Sequence, residues 1–196
     1  MADVRVGAAS AIRIRPREWY HPALTTGRAA PRSAESRDGR ADGSKGAGAV
    51  RYSTAGLGRV FVIRLEDGDV VHEAIEQLAR DEAVARAAVL VLGGADDGSR
   101  VVVGPDDGRA AVIEPIERVL RGVHEMAGVG TLFPDADGRP VLHLHAAFGR
   151  DDRVTAGCIR PGVTTWVVGE VVVIELVGNQ GVRRRDAATG FELLEP

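Results

Sequence analysis

Residues 58–75 read GRVFVIRLEDGDVVHEAI, and this stretch decides the fold class. Val60, Phe61, Val62, Ile63 and Leu65 make its first part a strand, because β-branched and aromatic side chains suit a pleated, half-buried surface. Asp67-Gly68-Asp69 punctuates the strand with turn-forming residues. Beyond them Val71, Ala74, Ile75, Leu78 and Ala79 recur at helical spacing. That spacing predicts an amphipathic helix over residues 70–82, with Asp69 accepting backbone N–H bonds at its start.

Strand signals dominate downstream. Residues 87–92 form a short apolar run that reads as a buried strand. It ends at Gly93-Gly94, where the chain can turn or approach another group closely. Further strands are expected at 100–103 and 110–116 around Pro105-Asp106-Asp107-Gly108, and at 124–133 and 141–148 around residues 134–138. Residues 154–159 read as an edge strand, and the β-branched run 164–177 as a strand crossing the core. Residues 182–185 and 191–194 finish a sheet or pack at its rim. A firm helix among many short strands predicts a compact α+β domain, without fixing the strand order.

The chain has 196 residues, 44 % of them hydrophobic, which excludes a wholly disordered polypeptide. Aromatic residues are only 4 %, so the core is expected to consist of Val, Leu, Ile and Ala. A single cysteine excludes an intramolecular disulfide framework. No apolar run approaches the ~18 residues of a membrane span. The first twenty residues carry Asp3, Arg5, Arg13, Arg15, Arg17 and Glu18 and do not read as a signal peptide, so a cytoplasmic address is expected.

Charge divides the chain. Residues 1–48 hold nine Arg or Lys against five Asp or Glu, a balance of +4; residues 49–196 hold sixteen against twenty-three, a balance of −7. From Thr25 to Gly48 there is almost no large apolar side chain, and such a stretch cannot offset the entropy of ordering itself. A mostly disordered basic arm over 1–48 and a domain over 49–196 are therefore expected. The alternative is that residues 4–14 and Trp19 pack on the body or on a neighbouring subunit. An arm of this charge can track a phosphate backbone, whereas the acidic body generally repels one.

The chemistry concentrates in Val141-Leu142-His143-Leu144-His145-Ala146. Residues two apart on a strand share a face, so His143 and His145 point the same way, about 6–7 Å apart along the chain. Two imidazoles cannot complete a tetrahedral site. Cys158 is a candidate third ligand, because a turn at Asp151-Asp152 lets the next strand return beside the histidines. A His2Cys set with an open position suits zinc or another divalent transition metal better than magnesium. The plainer alternative is two solvated or hydrogen-bonded histidines and an inert small cysteine. Glu125 and Glu170, both in strand-like sequence, are general-base or supporting candidates if they face the histidines. His72, His124 and Arg64 read as packing or ion-pairing residues. Residues 93–98 match neither phosphate-loop nor dinucleotide patterns, and no GxSxG element occurs.

Residues 58–75, AAVLVLGGA at 87–95, HEMAGVGTLFPDADGRPVLHLHAAFG at 124–149, TAGCIRPGVTTWVVGEVVVIEL at 155–176 and TGFELLE at 189–195 together resemble the plants-and-prokaryotes-conserved (PPC) domain family, over residues 52–195. The resemblance implies a compact α+β domain whose mainly antiparallel sheet is flanked by helices, assembled as a homotrimer. It also implies a metal site near a subunit boundary, built from a His-x-His strand and a later Gly-His element. His143 and His145 match the first pair, and Cys158, after Gly157, stands where the later histidine is usual. That departure either preserves metal binding with altered chemistry or marks its loss. The DNA-binding label of the family carries less, because plant members add a separate Arg-Gly-Arg-Pro element that does not occur here.

Three functions follow as expectations. The first is a homotrimeric metal-binding module with a DNA-binding or transcription-associated role, its DNA contact made through the N-terminal arm. The second is a metal-dependent enzyme acting on a small molecule in a subunit-interface cleft. The third is a structural interaction module.

Overall fold

The computed structural model describes residues 50–110 and 112–196. The arm expected over residues 1–48 lies outside them. The elements run β1 (Gly56–Glu66), α1 (Val71–Asp81), β2 (Ala87–Ala95), β3 (Arg100–Val102), β4 (Glu117–Val119), β5 (His124–Pro134), β6 (Pro140–Arg150), β7 (Arg153–Cys158), β8 (Thr165–Val177), β9 (Val182–Arg185) and β10 (Glu192–Glu195). Strands β1 to β8 form one sheet in the order β1-β8-β2-β5-β6-β7-β3-β4, and β9 and β10 pair as a separate hairpin. Every pairing is antiparallel. The α+β expectation holds. Among the described residues α1 is the one helix, so the implied plural flanking helices are corrected to one. No described helix is long and apolar enough to cross a membrane.

The two faces of the sheet differ. Val91, Val171, Gly128 and Ala146 form one inward row by register, and Val89, Val173, Leu132, Leu142, Leu144 and Phe148 join them in the core. The helix closes this face with Val71, Ile75 and Ala79, all buried. Its Glu76 Oε1 accepts a 2.9 Å hydrogen bond from the Leu142 N–H, which ties α1 to β6. On the other face Val62, Val172, Leu90, Val129, His145 and Cys158 form a single cross-strand row spanning β1, β8, β2, β5, β6 and β7. Val62 is 84 % exposed and Val129 63 %, so this face is both apolar and uncovered within one chain.

Three local expectations change. Asp69 does not cap the helix: Val70 stands at the cap position, and the Asp69 carboxylate accepts from the Glu66 N–H at 2.8 Å. It closes the turn out of β1, and the Val71 N–H is satisfied by the Val163 carbonyl at 2.9 Å. Gly93-Gly94 stays inside β2 and does not end it. A Cβ at Gly93 would stand 2.4 Å from the Val168 carbonyl oxygen, and φ there is +136°, so close approach is what these glycines provide. The described residues of 110–116 form no strand, and β3 pairs instead with β4. Pro115 has no N–H for a ladder there.

Candidate metal centre

Strand β6 alternates strictly: Leu142, Leu144, Ala146 and Phe148 are buried, while His143, His145 and Ala147 face outward. The hairpin from β6 to β7 turns at Asp151, whose φ of 53° is a conformation that short polar side chains tolerate. That turn sets Cys158 directly opposite His145. The donor atoms of His143, His145 and Cys158 all lie within 4.8 Å of one another. The two Nε2 atoms are 3.0 Å apart, and the rings meet edge to face with centroids at 4.9 Å.

The arrangement fits a metal of the zinc type. Tetrahedral coordination at ordinary Zn–N and Zn–S lengths asks for about 3.3 Å between two nitrogens and about 3.5 Å between nitrogen and sulfur. The observed spacings, 3.0 Å between the two Nε2 atoms and none above 4.8 Å among the three donors, bracket those values. Nitrogen and thiolate donors favour borderline metals over magnesium, and three protein ligands leave one position of a tetrahedron open. The His143 ring is held well below the ordinary histidine range, at about 4. Loss of hydration contributes most, followed by the positive charges of Arg183, His145 and Arg160. Its neutral form, the one that ligates a metal, is therefore favoured near neutral pH.

The two carboxylates fall elsewhere. Glu125 faces outward opposite Gly149, four residues along β5 from Val129, the cross-strand partner of His145. That is about 13 Å at the rise of a strand. Glu170 shares an outward row with Arg64, Leu92, Ala127 and Ala147. Its strand, β8, is separated from β6 by β2 and β5, about 14 Å across the sheet. Neither joins the three donors within one chain. His124 bonds the Gly122 carbonyl through Nδ1 at 2.9 Å, and Arg64 pairs with Glu66 at 3.1 Å on the surface. The Nδ1 of His72 is buried without a partner among the described residues. A trough of about 690 Å³, lined by Val62, Arg64, Leu90, Leu92, Glu170 and Val172 among others, lies on the same face as the cluster but takes none of its donors.

The sequence reading misses Arg183 and Arg160. Arg183 is 3 % exposed, and its Nη2 donates to Thr131 Oγ1 at 3.0 Å. Thr131 stands opposite His143 across the β5–β6 ladder. Arg160 lies on the surface two residues beyond Cys158. The only sequence signal for Arg183 is its place in the VRRR run of β9, where alternation puts Arg183 and Arg184 on opposite sides.

Comparison with known proteins agrees with this architecture. The profile of the Plants and Prokaryotes Conserved (PCC) domain matches residues 52–177. No curated protein matches the chain. A plant- and prokaryote-conserved (PPC) protein of Pyrococcus horikoshii is similar in structure with a TM-score of 0.65 at 21 % identity, over 75 % of this chain and 98 % of that one. The metal-containing protein of Archaeoglobus fulgidus gives 0.64 at 23 % identity, over 75 % of this chain and 100 % of that one. A candidate DNA-binding protein of Ralstonia eutropha gives 0.55 at 23 %, over 69 % and 90 %. These likenesses show a shared fold. With the strand–turn–helix opening, the His-x-His strand and the long β8 all inside the matched residues, the chain belongs to the Plants and Prokaryotes Conserved (PCC) domain family.

Proposed function

We propose that the protein is a cytoplasmic homotrimer that holds a divalent transition metal, zinc foremost, through His143, His145 and Cys158, and that it serves a DNA-binding or transcription-associated role. The observation that carries the metal reading is the convergence of three N and S donors within 4.8 Å on one sheet face. The similarity to a metal-containing archaeal protein adds support. A bound ion of this kind would supply Lewis acidity at its open position. The chain's own part is to present the two imidazoles of His143 and His145 and the sulfur of Cys158 from adjoining strands.

Support for assembly comes from the same face. Val62, Leu90, Leu92 and Val129 are exposed there, and an uncovered apolar patch of this kind marks an interaction surface. The row from Val62 to Cys158 is continuous, so a neighbouring copy that covers its apolar part also borders the metal donors. DNA contact belongs to the basic arm over residues 1–48, taken as separate from the domain over 49–196. Three arms brought together would add weak phosphate contacts through multivalency.

The tests are direct. Elemental mass spectrometry of untagged protein, purified without added metal or chelator, is expected to find near one equivalent of transition metal per chain. His143→Ala and Cys158→Ala should each lose it, and unchanged occupancy in both variants removes this site. Sedimentation equilibrium tests the trimer. Salt-dependent DNA binding should vanish on deletion of residues 1–48; full affinity in the body alone defeats the arm's role.

The open coordination position favours a second reading, a metal-dependent enzyme acting on a small-molecule ligand in a cleft between subunits. Glu125 and Glu170 serve as general bases on that reading only across a subunit boundary, since within one chain the register separates them from the donors.

A further inference from the structure

Beside the three donors lies a buried cation without a counter-ion. Arg183 is 3 % exposed, and among the described residues its buried Nε–H has no hydrogen-bond partner. Among the described residues no carboxylate lies within ion-pair distance of it. An arginine cannot relieve burial by losing its proton, so a desolvated guanidinium is unfavourable until an anion meets it. Its other contacts are Thr131, whose hydroxyl and backbone carbonyl accept from Nη2 at 3.0 Å and 3.5 Å, and the Phe133 ring, whose centroid is 6.0 Å from the guanidinium carbon. Neither carries a negative charge.

The placement joins this cation to the site. Thr131 and His143 are direct cross-strand partners, so the guanidinium hangs over the row next to the one that holds His145 and Cys158. Arg160, beyond Cys158, adds a second positive charge acting on both His143 and Arg183. Glu192 and Cys158 are the groups that ease the charge of Arg183, and Glu192 makes no ion pair with it. Two arginines thus border the cluster of His143, His145 and Cys158.

We propose that Arg183, oriented by Thr131 and assisted by Arg160, is an anion-binding subsite, and that the site takes a small carboxylate whose oxygens accept from the Arg183 guanidinium. The anion half stands on Arg183 alone; seating the other end of the ligand at His143, His145 and Cys158 rests on the metal reading above. A planar carboxylate matches the planar fork of a guanidinium. Phosphate sites gather more donors, often at a helix N-terminus, and α1 lies on the opposite face of the sheet.

The test is a calorimetric titration of the full chain, both metal-stripped and zinc-reconstituted, with malonate and with inorganic phosphate at constant ionic strength. Wild type is expected to bind malonate saturably in both forms, more tightly with zinc, and to prefer it to phosphate. Arg183→Gln should lose about tenfold or more in malonate affinity, the effect of removing a charge-assisted hydrogen bond. If Arg183→Gln does not fold, Arg160→Gln and Thr131→Val carry the comparison, and each should weaken malonate binding. The proposal is overturned by absence of saturable malonate binding in both forms of wild type, or by full affinity in folded Arg183→Gln. Full affinity in both substitute variants also overturns it. Phosphate binding as tight as malonate overturns the carboxylate assignment. Malonate binding by a protein that takes up no zinc upholds the anion subsite and removes only the metal reading.

Discussion

Glycine at positions 128 and 130 lets β5 lie close against the inward side of β6, directly behind the histidines, and Gly130→Ala tests how tightly that contact sets the site. A Cβ at 130 would lie 2.7 Å from the His143 carbonyl oxygen and from Leu144 Cβ, and 2.8 Å from Leu144 Cα. Ordinary contact begins near 3.4 Å, so the overlap is about 0.7 Å. The opposing atoms are backbone and Cβ atoms of a paired strand and cannot rotate away. Strand β6 must therefore shift at His143, at a cost of about 1–3 kcal/mol. For a protein of this size that is a fall in Tm of about 3–10 °C. Gly149→Ala is the control on the same ladder: its nearest contact would be the Glu125 carbonyl oxygen at 4.0 Å. It should be neutral, or more stable by about 0.5 kcal/mol through reduced chain entropy. Calorimetric melts of both variants measure the difference. A zinc-competition titration should show affinity down about tenfold in Gly130→Ala alone, the scale seen when support of a ligand is disturbed. Gly130→Ala melting with wild type, or Gly149→Ala falling as far, would refute the steric reasoning.

Other outcomes follow from the core, the ion pairs and the open face. The Arg59 side chain and backbone N–H both bond Glu175, chiefly the side chain, and hold its carboxyl at about 2. Because that value is depressed, the stabilisation is present above pH 4.5 and is lost as pH falls toward 2. Acid melts of Arg59→Ala should lack that component, with a smaller fall in Tm between pH 4.5 and 2 than wild type shows. Phe148→Ala empties a fully buried inward position of β6 and should cost about 3–5 kcal/mol in urea unfolding, with no change expected in a surface control such as Arg153→Ala. Val62→Glu with Leu90→Glu places charges on the uncovered face, and sedimentation should then report monomers whose circular dichroism matches wild type. A trimer that survives both substitutions would locate the assembly surface elsewhere.

Legibility tracked how local each constraint was. The strand–turn–helix opening was readable because the period changes from two to helical within residues 58–79, and the observed elements Gly56–Glu66 and Val71–Asp81 follow it closely. The turn chemistry was less readable: Asp69 looks like a cap, yet its carboxylate serves the Glu66 N–H across the turn. Gly93-Gly94 looked equally like a turn or a close approach, and only pairing with β8 decides for the second. The strand order needed long-range pairings such as β8 inserted between β1 and β2, which no local pattern encodes. At the site, the shared face of His143 and His145 follows from spacing alone, and the hairpin placed Cys158 beside them. Arg183 was illegible because its burial depends on β9 packing over Thr131 and Phe133, whereas its neighbours Arg184 and Arg185 are exposed.

Core and candidate site are one constraint on strand β6. Leu142, Leu144, Ala146 and Phe148 must face α1 and the core, which leaves His143 and His145 no choice but the open face. A slip of one residue in the β5–β6 register would turn both imidazoles inward and push Leu144 and Phe148 into solvent. The slip would cost several buried large side chains at about 1.5–3 kcal/mol each, far more than any loss of metal ligation is needed to prevent. The hydrophobic pattern alone therefore holds the donors in place, and a folded chain presents them whether or not an ion is bound. Metal removal should accordingly leave the domain folded and cooperative. Unfolding of the metal-stripped protein at room temperature, seen as loss of the far-ultraviolet sheet spectrum, would show instead that ligation and not the core sets this register.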